Sequence, residues 1–98
     1  MIRHVVMFRW RTGTTPEHVA AVEEGLVKLP GEIPEIFRYT FGADLGINVG
    51  NFQFVVVADF ESRDDYLVYR DHPVHRALIE EKIRPNIEDR TAIQFEID

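Results

Sequence analysis

Residues Ile2 to Trp10 alternate with period two: Ile2, His4, Val6, Phe8 and Trp10 fall on one side, and Arg3, Val5, Met7 and Arg9 on the other. That repeat is an extended strand, predicted over residues 2–11. Both sides carry apolar groups near the middle, which suits a strand covered on both faces. Thr12-Gly13-Thr14 is turn chemistry. The following Thr14-Thr15-Pro16-Glu17 offers two helix starts, a capping box from Thr14 to Glu17 or Thr15 as N-cap with Pro16 as first helical residue. The period then changes, because Val19, Val22, Leu26 and Leu29 recur at helical spacing. A helix is predicted over residues 16–29, with Pro30-Gly31 as its stop.

Phe37, Tyr39 and Phe41 share one side of a second strand, predicted over residues 36–44, before a glycine-bearing loop. Gly42, Gly46 and Gly50 lack the Lys-Ser/Thr ending and following helix of a phosphate cradle, so they read as loop punctuation. Residues 51–60 form the most apolar run, rich in β-branched and aromatic side chains, and are predicted to be a central strand covered on both faces. Ser62-Arg63-Asp64-Asp65 opens a second helix over residues 62–84. His72-Pro73 breaks it, because proline lacks an N–H and keeps its predecessor out of the α region. Ile93, Phe95 and Ile97 alternate with Gln94 and Glu96 in a last strand over residues 91–97.

The order βαββαβ predicts one α+β domain spanning residues 1–98, a ferredoxin-like sandwich whose four-stranded antiparallel sheet carries both helices on one face. Two helices cover one face only, yet the first and third strands are apolar on both. A second copy is the economical cover, and a two-fold dimer would bury Phe52, Phe54, Trp10 or their alternates.

Charge and composition narrow the partners. With 17 acidic against 11 basic residues the net charge is -6, which disfavours nucleic acid and anionic membranes. No apolar run approaches the length of a membrane span, and Arg3, His4, Arg9 and Arg11 interrupt the N-terminal one, so a cytoplasmic protein is expected. The absence of cysteine excludes disulfides, thiol catalysis and zinc-thiolate sites. Arg70, Arg84 and Arg90 are dispersed and suggest no anion clamp.

Chemistry concentrates at Tyr66 to His75, where His72 and His75 flank Pro73 among tyrosines and acids. Four segments in order, Met1 to Trp10, Leu29 to Pro34, Val57 to Ser62 and Tyr69 to His75, resemble the stress-responsive α/β-barrel domain family, often called Dabb, over essentially the whole chain. The resemblance implies a dimeric α+β barrel whose two ferredoxin-like units enclose a cavity. Polyketide-cyclase members use the tyrosine and last histidine of the Tyr-x-x-His-Pro-x-His element, which correspond to Tyr69 and His75; His4 matches the first-strand histidine.

On chemical grounds His75 can accept an α-proton from an enolisable carbonyl compound, and Tyr69 can hydrogen-bond the oxygen on which charge develops, with no cofactor. Equally, His75 could be a core histidine bonded to a carbonyl, with Tyr69 half-buried beside it. His72 reads as a helix cap, His18 as solvated, Glu96 as an edge carboxylate, and His4 as either a satisfied core histidine or an auxiliary. The pair His72 and His75 lacks a placed carboxylate and makes a poor metal site. Three functions fit: a cofactor-free proton-transfer or cyclase-like enzyme, a small-molecule binder without turnover, and a stress-associated structural dimer.

Overall fold

The computed structural model describes residues 1–98. Its elements run β1 (Ile2–Trp10), α1 (Pro16–Glu32), β2 (Arg38–Ala43), β3 (Phe54–Phe60), α2 (Arg63–Asp71), α3 (Pro73–Leu78), a π-helical turn (Ile79–Ile83), a 3-10 turn (Arg84–Asn86) and β4 (Ile87–Glu96). The sheet order is β2-β3-β1-β4, and every neighbouring pair is antiparallel. The two strands read as covered on both faces, β1 and β3, occupy the centre.

Of the two helix starts, Thr15 is the N-cap: its hydroxyl accepts from the His18 amide at 3.2 Å, and Pro16 leads the first turn. His18, expected to be merely solvated, returns the bond, its Nδ1 accepting from the Thr15 amide at 3.1 Å. Pro30-Gly31 does not end α1. Proline at 30 removes only the bond to the Leu26 carbonyl, while the Ile33 amide still donates to Leu29 at 2.9 Å, and complete burial of Ile33 holds the last turn down. Gly25 serves packing, because a Cβ there would run into the Leu78 methyl groups; its absence lets α1 close on α3.

The second helix breaks where expected. His72 adopts extended geometry, and its Nδ1 accepts from the Val74 amide at 3.2 Å, capping α3. Beyond Leu78 the helix widens, with the Arg84 amide reaching back to Ile79, before Pro85 ends it. β4 begins at Ile87, four residues earlier than residue 91. Glu88, Asp89 and Arg90 are tolerated there because β4 is an edge strand, paired only with β1 and bulged opposite Arg9 and Trp10. β3 begins later than expected, at Phe54. Just before it, Gln53 still binds β1, its amide donating to the Phe8 carbonyl at 2.8 Å and its Oε1 accepting from the Trp10 amide at 2.7 Å.

The core lies between sheet and helices. His4, Val6 and Phe8 of β1 and Phe54, Val56, Ala58 and Phe60 of β3 meet Val22, Leu26, Leu29, Tyr69, Leu78 and Ile83 from the helical layer. Each fully buried Val, Leu or Phe contributes about 1.5–3 kcal/mol. Of the two sets open for a dimer face, Phe54 and Trp10 pack with Phe8 on the helix side, Trp10 and Phe54 having ring centroids 5.5 Å apart. The outer face carries their alternates, the cross-strand pairs Val5–Val57 and Met7–Val55, with Ile93 and Phe95 exposed beside them. Asp59 punctuates that face. It is 1 % exposed, bonded by Arg3 at 2.8 and 2.9 Å and by Arg38 at 3.3 Å, and the Arg3 guanidinium holds its carboxyl below the usual range.

Candidate functional site

Three register pairs of β1 and β4, His4–Gln94, Val6–Ala92 and Phe8–Arg90, form one wall of a 460 Å³ cavity. Tyr66, Tyr69, His75 and Ile79 face them from the helical layer, with Tyr39 behind on β2. The volume is that of a small-molecule pocket. The space therefore lies between sheet and helices of a single chain. It brings His4, Tyr69 and His75 together.

The helix break at His72-Pro73 orients His75. The Arg70 carbonyl would ordinarily accept from the amide four residues on, Val74, but that amide is taken by the His72 ring. His75 Nδ1 donates to the Arg70 oxygen instead, at 3.1 Å. A carbonyl can only accept, so Nδ1 carries the proton and Nε2 holds the lone pair. Burial lowers the His75 pKa, partly offset by the bond to Arg70, so the imidazole is neutral at pH 7 and basic at Nε2.

The Tyr69 ring stacks on His75, with centroids 4.1 Å apart and planes inclined 29°. Its oxygen lies 2.9 Å from that of Tyr39. Burial pushes the Tyr69 phenol up to about 12 and raises Tyr39 further, so both stay protonated near neutrality. Their mutual bond lowers the pKa of Tyr69 and raises that of Tyr39. Either hydroxyl can donate in this pair; with Tyr39 donating, the Tyr69 O–H is free to donate elsewhere.

His4, 5 % exposed, packs beside Tyr66 and Tyr69 with ring centroids 5.1 and 6.1 Å away. The Gln94 amide donates to its Nδ1 at 2.9 Å, which places the ring proton on Nε2. No fully buried side-chain nitrogen or oxygen lacks a partner, so His4 Nε2, which has none within the chain, is reached from the cavity. Burial, then the neighbouring His75 and Arg90, push His4 down to about 4. Between that value and the ordinary 6.5 the unfolded chain binds a proton that the folded chain refuses, so stability rises with pH. Acidifying through this window should cost roughly 3 kcal/mol. Thermal melts of wild type and His4→Asn between pH 4 and 7 check this: the wild type should lose more stability on acidification.

Sequence reading did not find Tyr39 and Gln94. Tyr39 showed only as one of three aromatic residues sharing a side of β2, and Gln94, not Glu96, holds His4 because the β1–β4 register sets them opposite each other. Arg70, Arg84 and Arg90 are dispersed along the sequence but not in space. Arg70, Arg76, Arg84 and Arg90 all border the one cavity, because the turns after α3 and the return of β4 fold distant positions onto the same mouth.

A structure of a dimeric ferredoxin-like protein of unknown function from Thermobifida fusca YX is 48% identical to this chain, with a TM-score of 0.90 over 98% of this chain and 90% of that one. A hydroxynitrile lyase from Passiflora edulis is similar in fold, at 21% identity and a TM-score of 0.87 over 99% and 93% of the two chains. A ferredoxin-like Dabb protein from Mesorhizobium loti MAFF303099 gives 20%, 0.82, 98% and 95% in the same order. No curated protein matches the chain. The model of the Stress responsive A/B Barrel Domain matches residues 2–97, and the chain belongs to that family.

Proposed function

We propose that the cavity binds a small, largely apolar carbonyl compound and moves an α-proton on it without a cofactor. His75 Nε2 takes the proton as the C–H bond breaks. The electron pair moves through the carbonyl to its oxygen, and the Tyr69 O–H, backed by Tyr39, hydrogen-bonds the enolate that results. His4 Nε2–H is a second donor from the opposite wall. Return of the proton from His75 to carbon completes an exchange; attack of the enolate carbon on a second carbonyl of the same molecule, with the His75 proton passing to the alkoxide that forms, completes a cyclisation instead. The observation that carries this reading is the Arg70 carbonyl on His75 Nδ1, which leaves a neutral base in a cavity that also holds the phenols of Tyr39, Tyr66 and Tyr69.

Solvent deuterium exchange into β-diketones and aryl methyl ketones, followed by proton NMR, tests it. Exchange should be saturable in ketone and independent of added chelator. Because the base is the neutral form of a group with a lowered pKa, the rate should fall on acidification with a midpoint below the ~6.5 of a free imidazole. Ketone binding without exchange would leave a binder without turnover, the reading that competes for the same cavity.

The same proposal includes a homodimer closed through the outer sheet face. Val5, Met7, Val55 and Val57 are only half-covered in the single chain, and Ile93 and Phe95 are exposed. Leu45, Ile47 and Val49 in the β2–β3 loop are exposed as well. The dimeric state of the Thermobifida fusca protein at 48% identity supports this.

A further inference from the structure

The charges around the cavity all have one sign. Arg70, Arg76, Arg84 and Arg90 border it together with two histidines, and no aspartate or glutamate does, in a chain with 17 acidic residues and a net charge of -6. The four guanidinium groups are not equally available. Arg70 is held by both oxygens of Asp71 at 2.9 and 3.0 Å, and Arg76 and Arg84 share Glu80 at 3.7 and 3.1 Å. Arg90 takes part in none of the chain's ion pairs. It stands opposite Phe8 in the β1–β4 register, on the same side as Ala92 and Gln94, at one end of a wall whose other end is His4.

We propose that the ligand of this cavity is a monoanion, a small carboxylate whose apolar body lies against Val6, Phe8, Ile79 and Ile83 and whose carboxylate pairs with Arg90. One uncommitted guanidinium matches one carboxylate in a bidentate pair. Asp71 occupies Arg70, and Arg76 and Arg84 share the single carboxylate of Glu80, so Arg90 is the guanidinium that offers its full fork to an incoming carboxylate. The apolar remainder of the lining accepts the hydrocarbon part, and the negative surface elsewhere leaves the cavity as the place where an anion is held. This deepens the proton-transfer reading by naming its substrate class as a keto acid, and it rests on that reading only for the choice of site.

Calorimetric titration of the intact protein with acid and amide pairs tests it, using phenylacetate against phenylacetamide, hexanoate against hexanamide, and 3-oxohexanoate against its amide. For at least one pair the acid should bind ten-fold or more tightly than the amide, and added salt should weaken the acid alone. Arg90→Gln should bring that ratio close to one with the amide affinity unchanged, and Arg90→Lys should restore part of it; melting temperature confirms that each variant is folded. If no acid binds more tightly than its amide, or if the preference survives Arg90→Gln, the inference is overturned. His75→Gln should keep the acid preference, so an absence of proton exchange and an absence of anion selection are separate results.

Discussion

If the cavity moves an α-proton as proposed, His75→Ala should lower the rate of exchange by about 10²- to 10⁴-fold, the share a positioned general base contributes, while the protein should still sediment as the wild type does. The size follows from how the imidazole is held. Its Nδ1 is fixed on the Arg70 carbonyl, its face lies on Tyr69, and burial keeps it neutral, so little reorganisation precedes proton transfer. Alanine removes the base but also opens space beside Tyr69, and a loss could then reflect a displaced phenol. His75→Gln separates the two effects: an amide of similar reach fills the space and can still donate to the Arg70 carbonyl, yet cannot take a proton at neutral pH. Both variants should be equally inactive and should bind ketones within a few-fold of wild type. Exchange that persists in His75→Gln would assign the base elsewhere and return His75 to the core.

Much of this arrangement was legible before any coordinates. Strand and helix periods gave βαββαβ, and His72-Pro73 announced the break that aims His75, because proline acts locally and unconditionally. Pro30 misled for the opposite reason: near a helix end it deletes one hydrogen bond, and whether the turn survives depends on burial of Ile33, a tertiary fact. β4 was read too short because an edge strand accommodates Glu88, Asp89 and Arg90 without an alternating pattern. The face of Trp10 and Phe54 could not be settled by period two, which says that alternate residues share a side but not which side the helices cover. The same gap hid the cavity. His4 and Gln94 lie 90 residues apart, Tyr39 and Tyr69 are 30 apart, and the arginines acquire a common destination only through sheet order and the turn after α3.

Sheet faces also decide what happens when the outer surface is charged. Val57 is paired with Val5 in the middle of the sheet and with Thr40 on its other side, on the face that the helices leave uncovered. In a two-fold dimer Val57→Asp places a carboxylate in each half of an apolar interface of roughly 2,000 Å². An unpaired carboxylate there costs several kcal/mol per copy, enough to shift association by more than a thousand-fold. At micromolar concentration the wild type should sediment at twice the chain mass and Val57→Asp at the chain mass or as unfolded chain. Val27→Asp, on the exposed side of α1, should remain dimeric. The consequence reaches the cavity, because Val5 and His4 are neighbours on β1 with opposite faces: the strand that loses its outer cover is the one that carries His4, Val6 and Phe8 on its inner side. Val57→Asp should therefore lose proton exchange together with the dimer, whereas His75→Ala loses exchange and keeps the dimer. A Val57→Asp protein that stays dimeric, or a wild type that sediments at the chain mass, would remove the second copy from the account and leave the half-covered valines of the outer face without an explanation.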